Sequence, residues 1–260
     1  MRANTLKKVE LMEEWQTSVG VMAIGPRDLG AIVTETVGSS VLFGIASYFC
    51  IVSCRHVVEP RLGQDQFKAI FKYTDGAGGL KRAVLGLDER MLKFHPDDTG
   101  TTSYDVAAFW AHRGNHNPLP FPYLELQPHQ YYPQRVLDLK LQVLGYRMAD
   151  ITSDAVLSDG VPLPLRSIEA RLIDAPHIGG KATNFSKSHI AQHVAEIETD
   201  EDLSGMSGAL VLAEERGANY PVGMVVSSGK GRVQNRLSRT EHHVNFVGFV
   251  DFPTILVTLQ

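Results

Sequence analysis

About a dozen short runs rich in Val, Ile, Phe and Tyr follow one another along this chain, with glycines marking many of the breaks. "SVGVMAIG", "GAIVTETV", "SSVLFGIA" and "SYFCIVSC" come first, then "FKAIFKYT", "RAVLGLD" and "DVAAFWAH". After a proline-rich stretch come "LKLQVLGYRM", "LRSIEARLIDA", "VAEIET", "GALVLAEE", "YPVGMVVSS" and "VNFVGFVDF". No long helical periodicity interrupts them, and no internal repeat has a readable period. This pattern predicts an all-β fold of the barrel or sandwich kind. The segment from Asn115 to Gln134 carries five prolines. Proline fixes φ and removes a backbone donor, so this segment is expected to connect rather than to pair. It divides the chain into nearly equal halves, and two β-barrels joined by a linker satisfy both observations most simply.

The expected division is an N-terminal extension over residues 1–18, a first barrel over 19–114, the linker over 115–134 and a second barrel over 135–260. Leu6, Val9, Met12 and Trp15 share one side of a short helix in the extension. The chain has 260 residues, 43% of them hydrophobic, which is ample to bury a core. A net charge of −4 with scattered basic residues gives no general attraction for nucleic acid. Lys7, Lys8, Glu10, Glu13 and Glu14 stand where a secretory signal needs an apolar run. No stretch approaches the ~20 apolar residues of a membrane span. A cytoplasmic protein with no membrane partner is expected.

Cys50 and Cys54 are the only cysteines. On one extended strand they stand ~13 Å apart, too far for a bridge, and they are expected as buried thiols. No second ligand pair has zinc spacing, so neither a metal nor another cofactor is expected.

A hydrolytic nucleophile needs a base, and the base needs an orienting acid. His56, in "IVSCRHVVEP", ends a strand-like run, where an imidazole can swing toward a cleft. Asp105, in "SYDVAAFWAH", opens an apolar strand, where a half-buried carboxylate can accept from that imidazole. Ser207, in "DLSGMSGALVL", has Gly205 and Gly208 on either side of the Met206–Ser207 pair. Glycines there allow a sharp turn that points the N–H groups of Gly205 and Ser207 at one spot, as an oxyanion needs. Taken singly, each has a plain structural explanation as a loop histidine, a capping aspartate or a small turn residue. The order His, Asp, Ser separates the set from subtilisin-like and α/β-hydrolase arrangements, and "GMSGA" does not match the G-x-S-x-G elbow.

These segments resemble the chymotrypsin/trypsin-fold serine peptidases, closer to the bacterial trypsin-like group than to digestive enzymes. "IVSCRHVV" is similar to that family's strand ending in T/S-A-x-H, and "YDVAAFW" to its D-[IV]-A-hydrophobic segment. "SGMSGALV" is similar to G-[DN]-S-G-[GS]-P-[LV]. "LQVLGYRM" resembles the strand opening the second barrel, with Arg147 in place of a proline, and "GMVVSSG" the strand after the nucleophile. The likeness runs from about Val19 onward. It implies two six-stranded antiparallel β-barrels, with His56 as base, Asp105 as its orienting acid and Ser207 as nucleophile. Gly205 and Ser207 would supply the oxyanion hole. Ser227, Ser228 and Gly229 would bind substrate as an added strand. Six positions before the nucleophile, Glu201 falls where trypsin-like members place the floor of the primary pocket. An acid there would select Arg or Lys; the alternative is a solvated acidic loop. Met206 replaces the Asp or Asn before the serine, so activation by a freshly cut N-terminus is not expected.

The expected activity is therefore endopeptidase cleavage of a protein or peptide through an acyl-enzyme. Control is expected from a regulatory protein partner or from disorder of the oxyanion loop over Ser204 to Met206. The alternative is a catalytically silent module of this fold that holds a partner peptide in its groove. A cysteine hydrolase built on Cys54 is disfavoured, because Cys54 and His56 would stand side by side on one strand, roughly 7 Å apart.

Overall fold

Among the described residues the β-like runs become fourteen strands. The computed structural model describes residues 15–27, 32–63, 65–96, 104–115, 118–126, 140–173, 192–197, 199, 201–215, 217–234 and 241–259. The helix expected over 1–16 falls almost wholly outside them; residues 15–18 are helical, and Trp15 is buried.

The second half is a closed antiparallel barrel of six strands. They are β9 (Lys140–Gly145), β10 (Arg166–Ile173), β11 (His193–Ile197), β12 (Leu210–Glu215), β13 (Ala218–Gln234) and β14 (Glu241–Asp251). They run β10-β11-β14-β13-β12-β9 around the barrel, and β10 pairs with β9 to close it. Val143, Ala195, Val211, Ala213, Val225, Val247 and Phe249 fill its interior. β12 is buried on both faces. Val211 and Ala213 point into the barrel, while Leu210 and Leu212 join the core of the first half. That is why "GALVLA" reads as a continuous apolar run rather than an alternating one.

The first half differs from the expected barrel. β1 (Val19–Gly25), β2 (Glu35–Ile45), β3 (Tyr48–Ser53), β4 (Gln66–Thr74), β5 (Leu80–Leu87), β6 (Leu92–Phe94) and β7 (Ala107–His112) form a sheet ordered β5-β4-β1-β2-β3-β7-β6. This sheet is not closed: β5 and β6 stand at its two edges with no ladder between them among the described residues. β6 has only three residues, all half-buried, too short and too poorly covered to complete a barrel wall.

The proline-rich segment also does more than connect. Its Leu124–Glu125 forms β8, parallel to Phe43–Gly44 of β2. Phe121, Leu124 and Leu126 are buried in the first-half core, and Phe121 stacks on Tyr73 at 5.2 Å. Between Pro122 and Pro128 the segment holds five residues free of proline, and Leu124–Glu125 within them takes the pairing. No helix among the described residues is long and apolar enough to cross a membrane.

Candidate active site

β3 and β7 pair in a register that sets Ser53 opposite Ala107. The residues just past this pairing therefore meet: Cys54 to His56 on one side, Asp105 on the other. The chain leaves β3 into a short helix, α1 (Arg55–Val58), and Arg55 N–H donates to the Asp105 carbonyl at 3.3 Å. Asp105 is 1% exposed. Its Oδ1 accepts from the His56 backbone N–H at 2.9 Å, and its Oδ2 engages His56 Nδ1. A buried carboxylate held by two bonds to one residue fixes the orientation of the ring and the proton on Nδ1. The lone pair is left at Nε2, on a side chain that is about one-third exposed.

Ser207 lies in a turn between the β11 end and β12. Gly205 at φ +94° and Gly208 at φ +90° adopt the left-handed region that L side chains rarely enter. At Gly208 the reason is also space, since a Cβ would stand 1.9 Å from the Ser39 carbonyl oxygen of β2. The turn is anchored at nearly every peptide. Met148 N–H donates to the Ser204 carbonyl at 2.9 Å, and Ser39 Oγ–H to the Gly205 carbonyl at 3.0 Å. Ala209 N–H donates to the Met206 carbonyl at 2.9 Å, Ser39 N–H to the Ser207 carbonyl at 2.9 Å, and Gly208 N–H to the Val225 carbonyl at 2.8 Å. In a trans peptide the C=O and N–H point opposite ways. Fixing the Ser204 and Met206 carbonyls therefore turns the N–H groups of Gly205 and Ser207 to the other side. No backbone carbonyl of the described residues accepts from either.

Cys54 joins the two halves of this arrangement. Its thiol is fully buried and donates to the Val225 carbonyl at 3.2 Å. Ser207 and Gly208 also lie near the sulfur. The sulfur, a His56 ring nitrogen and an Asp105 oxygen lie within 4.8 Å of one another. This corrects the roughly 7 Å expected from strand geometry, because α1 begins right after Cys54 and brings the two side chains closer. Burial, reinforced by the Asp105 charge, raises the thiol pKa well above its ordinary value against the weaker pull of Gly208 and Ser207. A thiol held protonated is a poor nucleophile. Cys54, His56 and Asp105 are the one group among the described residues with metal-compatible proximity. Sequence spacing could not show it, because Asp105 comes from a different strand.

Met206 is wholly buried inside the barrel, with its Sδ and Cε 3.2 Å from where a Cβ on Gly145 would stand. Gly145 makes the room and Met206 fills it, so the Ser207 turn is anchored to the barrel by an apolar side chain. Glu201, expected at a pocket floor or in a solvated acidic loop, lies at the surface. It is exposed and ion-paired with Arg147, which also holds Asp150 at 2.8 Å. Arg147 and Arg166 together keep the Asp150 carboxyl far below the usual carboxylate range. Glu201 and Asp202 are both exposed, and the Glu201 charge is compensated by Arg147.

Ser227, Ser228 and Gly229 lie on β13 just past a register shift between Val225 and Ser227. β14 covers one edge of this stretch, whereas β12 pairs only as far as Met224. The other edge of Ser227–Gly229 thus has no strand partner among the described residues. His242 and His243 pair through their backbones with Val233 and Arg232.

No family model and no curated protein matches this chain. Two contributors gave no recognisable sequence signal. Ser39, one of many serines in strands, ties three backbone groups together. Cys54 stands where the family motif has alanine, and a single buried thiol has no signature of its own.

Proposed function

We propose that this protein is a serine endopeptidase of the chymotrypsin/trypsin-like class. The observation that carries the reading is the pairing of an oriented imidazole with a turn that frees two N–H groups. His56 is held by the buried Asp105, and the Ser207 turn is braced so that Gly205 and Ser207 present N–H donors that no backbone carbonyl of the described residues takes. In this mechanism His56 Nε2 takes the Ser207 proton as Oγ attacks the peptide carbonyl. The N–H groups of Gly205 and Ser207 hold the oxyanion, an interaction whose loss typically costs about a hundred- to a thousandfold per donor. Asp105 keeps the tautomer and stabilises the imidazolium. His56 then protonates the leaving amine, and water repeats the sequence on the acyl-enzyme. The substrate backbone adds as a strand along the open edge of Ser227–Gly229.

We read the open first-half sheet as a counterpart of the second barrel. Its edge strands β5 and β6 are consecutive in the chain and joined by only four residues, 88–91. From Leu87 to Leu92 such a link spans at most ~18 Å, which keeps the two edges near each other. Selection for Arg or Lys through Glu201 is not part of the proposal, because Arg147 already neutralises that side chain. Met206 in the barrel core leaves no carboxylate to pair with a new N-terminus, which favours regulation by a partner protein. Two free, buried thiols suit a reducing compartment such as the cytoplasm.

Incubation with an unfolded protein substrate tests the reading. New peptide termini are expected with the natural chain and not with Ser207→Ala or His56→Ala. Equal cleavage by the Ser207→Ala protein would refute it. A folded natural chain that cleaves nothing, alone or in lysate, would favour the silent peptide-binding module.

A further inference from the structure

The guanidinium of Arg147 holds two partners at once. Its Nε and Nη2 donate to the two oxygens of Asp150 at 3.0 and 2.8 Å, and its Nη1 donates to the Glu201 carboxylate. Arg166, opposite Gly145 at the start of β10, donates from Nε to the same Asp150 carboxylate at 2.8 Å. The side chains of Arg147 and Asp150 are only 15% and 16% exposed. An isolated exposed ion pair does little, whereas a forked Arg–carboxylate pair within a network, largely out of water, holds its geometry.

The backbone held in this way lies against the nucleophile turn. Arg147 caps a single 3-10 turn, Met148–Asp150, which is closed by the Asp150 N–H on the Arg147 carbonyl at 3.1 Å. Met148 N–H, at the head of that turn, donates to the Ser204 carbonyl at 2.9 Å. The Ser204 carbonyl and the Gly205 N–H belong to one planar peptide. The position of Met148 therefore sets the direction of the Gly205 N–H, one of the two donors assigned to the oxyanion. Gly205 sits so close that a Cβ on it would stand 2.6 Å from the Met148 nitrogen. Through Glu201 the same guanidinium holds the loop again, three residues before Ser204. Met206 adds no charge to this side of the turn, because its side chain is buried in the barrel.

We propose that Arg147 is a positioning residue for the oxyanion site: by clasping Asp150 and Glu201 together it fixes Met148, and through Met148 the Gly205 N–H. This rests on the serine-peptidase reading. A lysine carries one compact charge and cannot make the fork and the third contact together. The test is labelling by a small fluorophosphonate over a range of concentrations, which separates the inactivation rate kinact from the affinity KI. Arg147→Met should lower kinact by at least ~10-fold, short of the ~10³-fold cost of a whole donor, and leave KI unchanged, because the N–H groups act in the transition state. Arg147→Lys should lie between Arg147→Met and the natural chain. Glu201→Gln should slow labelling by about three- to fivefold. The double variant should be no slower than Arg147→Met alone, since Glu201 acts through Arg147. Arg90→Met removes an exposed pair with Asp88 in the first half and should stay within ~1.5-fold of the natural chain. A role confined to stability would lower melting temperatures and leave kinact unmoved well below them.

The inference is overturned if kinact of a cooperatively melting Arg147→Met stays within ~2-fold of the natural chain, or if the loss falls on KI. Equal slowing by Arg90→Met would overturn it as well. Glu201→Gln decides the matter if Arg147→Met does not fold, because that side chain is 53% exposed, and an unchanged kinact there refutes the clasp. Failure of the fluorophosphonate to label the natural chain would instead remove the peptidase reading, and this inference with it.

Discussion

Replacing Ser39 by Ala removes one hydroxyl that serves two backbone groups. Ser39 Oγ donates to the Gly205 carbonyl at 3.0 Å, lies 3.4 Å from the Tyr146 carbonyl, and accepts from the Tyr146 N–H at 3.0 Å. A hydroxyl has one proton to give, so the shorter bond to Gly205 is the one that counts. Ser39 and Tyr146 are both buried, and Ser39 is fully so. In Ser39→Ala the Tyr146 N–H loses its partner in a buried place and the Gly205 carbonyl in a partly buried one. A buried orphaned group costs roughly 1–3 kcal/mol and a partly buried one less, giving an expected loss of about 1–3 kcal/mol. Against a domain stability of about 5–15 kcal/mol, that is a clear shift in a urea-unfolding midpoint. The second consequence concerns the turn. Gly205 loses one of the bonds that hold its peptides, so labelling of Ser207 by a fluorophosphonate should slow by about tenfold or more, bounded by the ~10³-fold cost of losing the whole donor. Both quantities are read on one preparation, with labelling measured well below the unfolding transition. A stability change under ~0.5 kcal/mol together with labelling within twofold of the natural chain would refute this account of Ser39.

Asp105→Asn should fold while leaving the imidazole without its orienting carboxylate, and labelling at neutral pH should drop by about 10³- to 10⁴-fold; a loss below tenfold would contradict the role given to Asp105. Gly208→Ala combines a disfavoured φ with a 1.9 Å approach to the Ser39 oxygen, whereas Gly63→Ala has nothing within 4 Å at φ +75°. Gly208→Ala should therefore lower stability by well over ~2 kcal/mol and Gly63→Ala by only about 1, and equal melting temperatures would count against the packing described at Ser39. Burial pushes the Cys50 thiol up to about 12 and the Cys54 thiol upward as well. Unfolded thiols ionise near pH 8.5, so the stability these groups contribute is fully present below that pH and declines as pH rises toward the native values. Iodoacetamide at pH 8 should leave both thiols unmodified until urea unfolds the chain, and rapid native alkylation of Cys54 would show that its burial is misjudged.

The strands were legible because their residues are β-branched and aromatic and their breaks carry glycine, which is local chemistry. Closure was less so. Whether a sheet closes depends on its edges, and "MLKF" yields only the three-residue β6, whose length no periodicity announces. The proline count of the middle segment was a sound sign of irregular backbone, yet it hid Leu124, which finds a place in the first-half core because its neighbours are apolar. Within the site, His56, Asp105 and Ser207 could be picked out by residue type and order, and the structure brings their segments around one sulfur. The surrounding contacts could not be read, because they join residues far apart in the chain: Ser39 with Gly205, and Cys54 with Val225. Glu201 could be named by its position relative to the serine, but its ion pair with Arg147 joins residues far apart in the chain and had no local signal.

The central claim is that Ser207 is a nucleophile activated by His56. Its most direct test is mass spectrometry of the chain after treatment with a small fluorophosphonate. The account predicts one covalent adduct, mapped to the peptide containing Ser207, strongly reduced in His56→Ala and absent in Ser207→Ala. A folded chain that stays unmodified, or an adduct on any other residue, would contradict it.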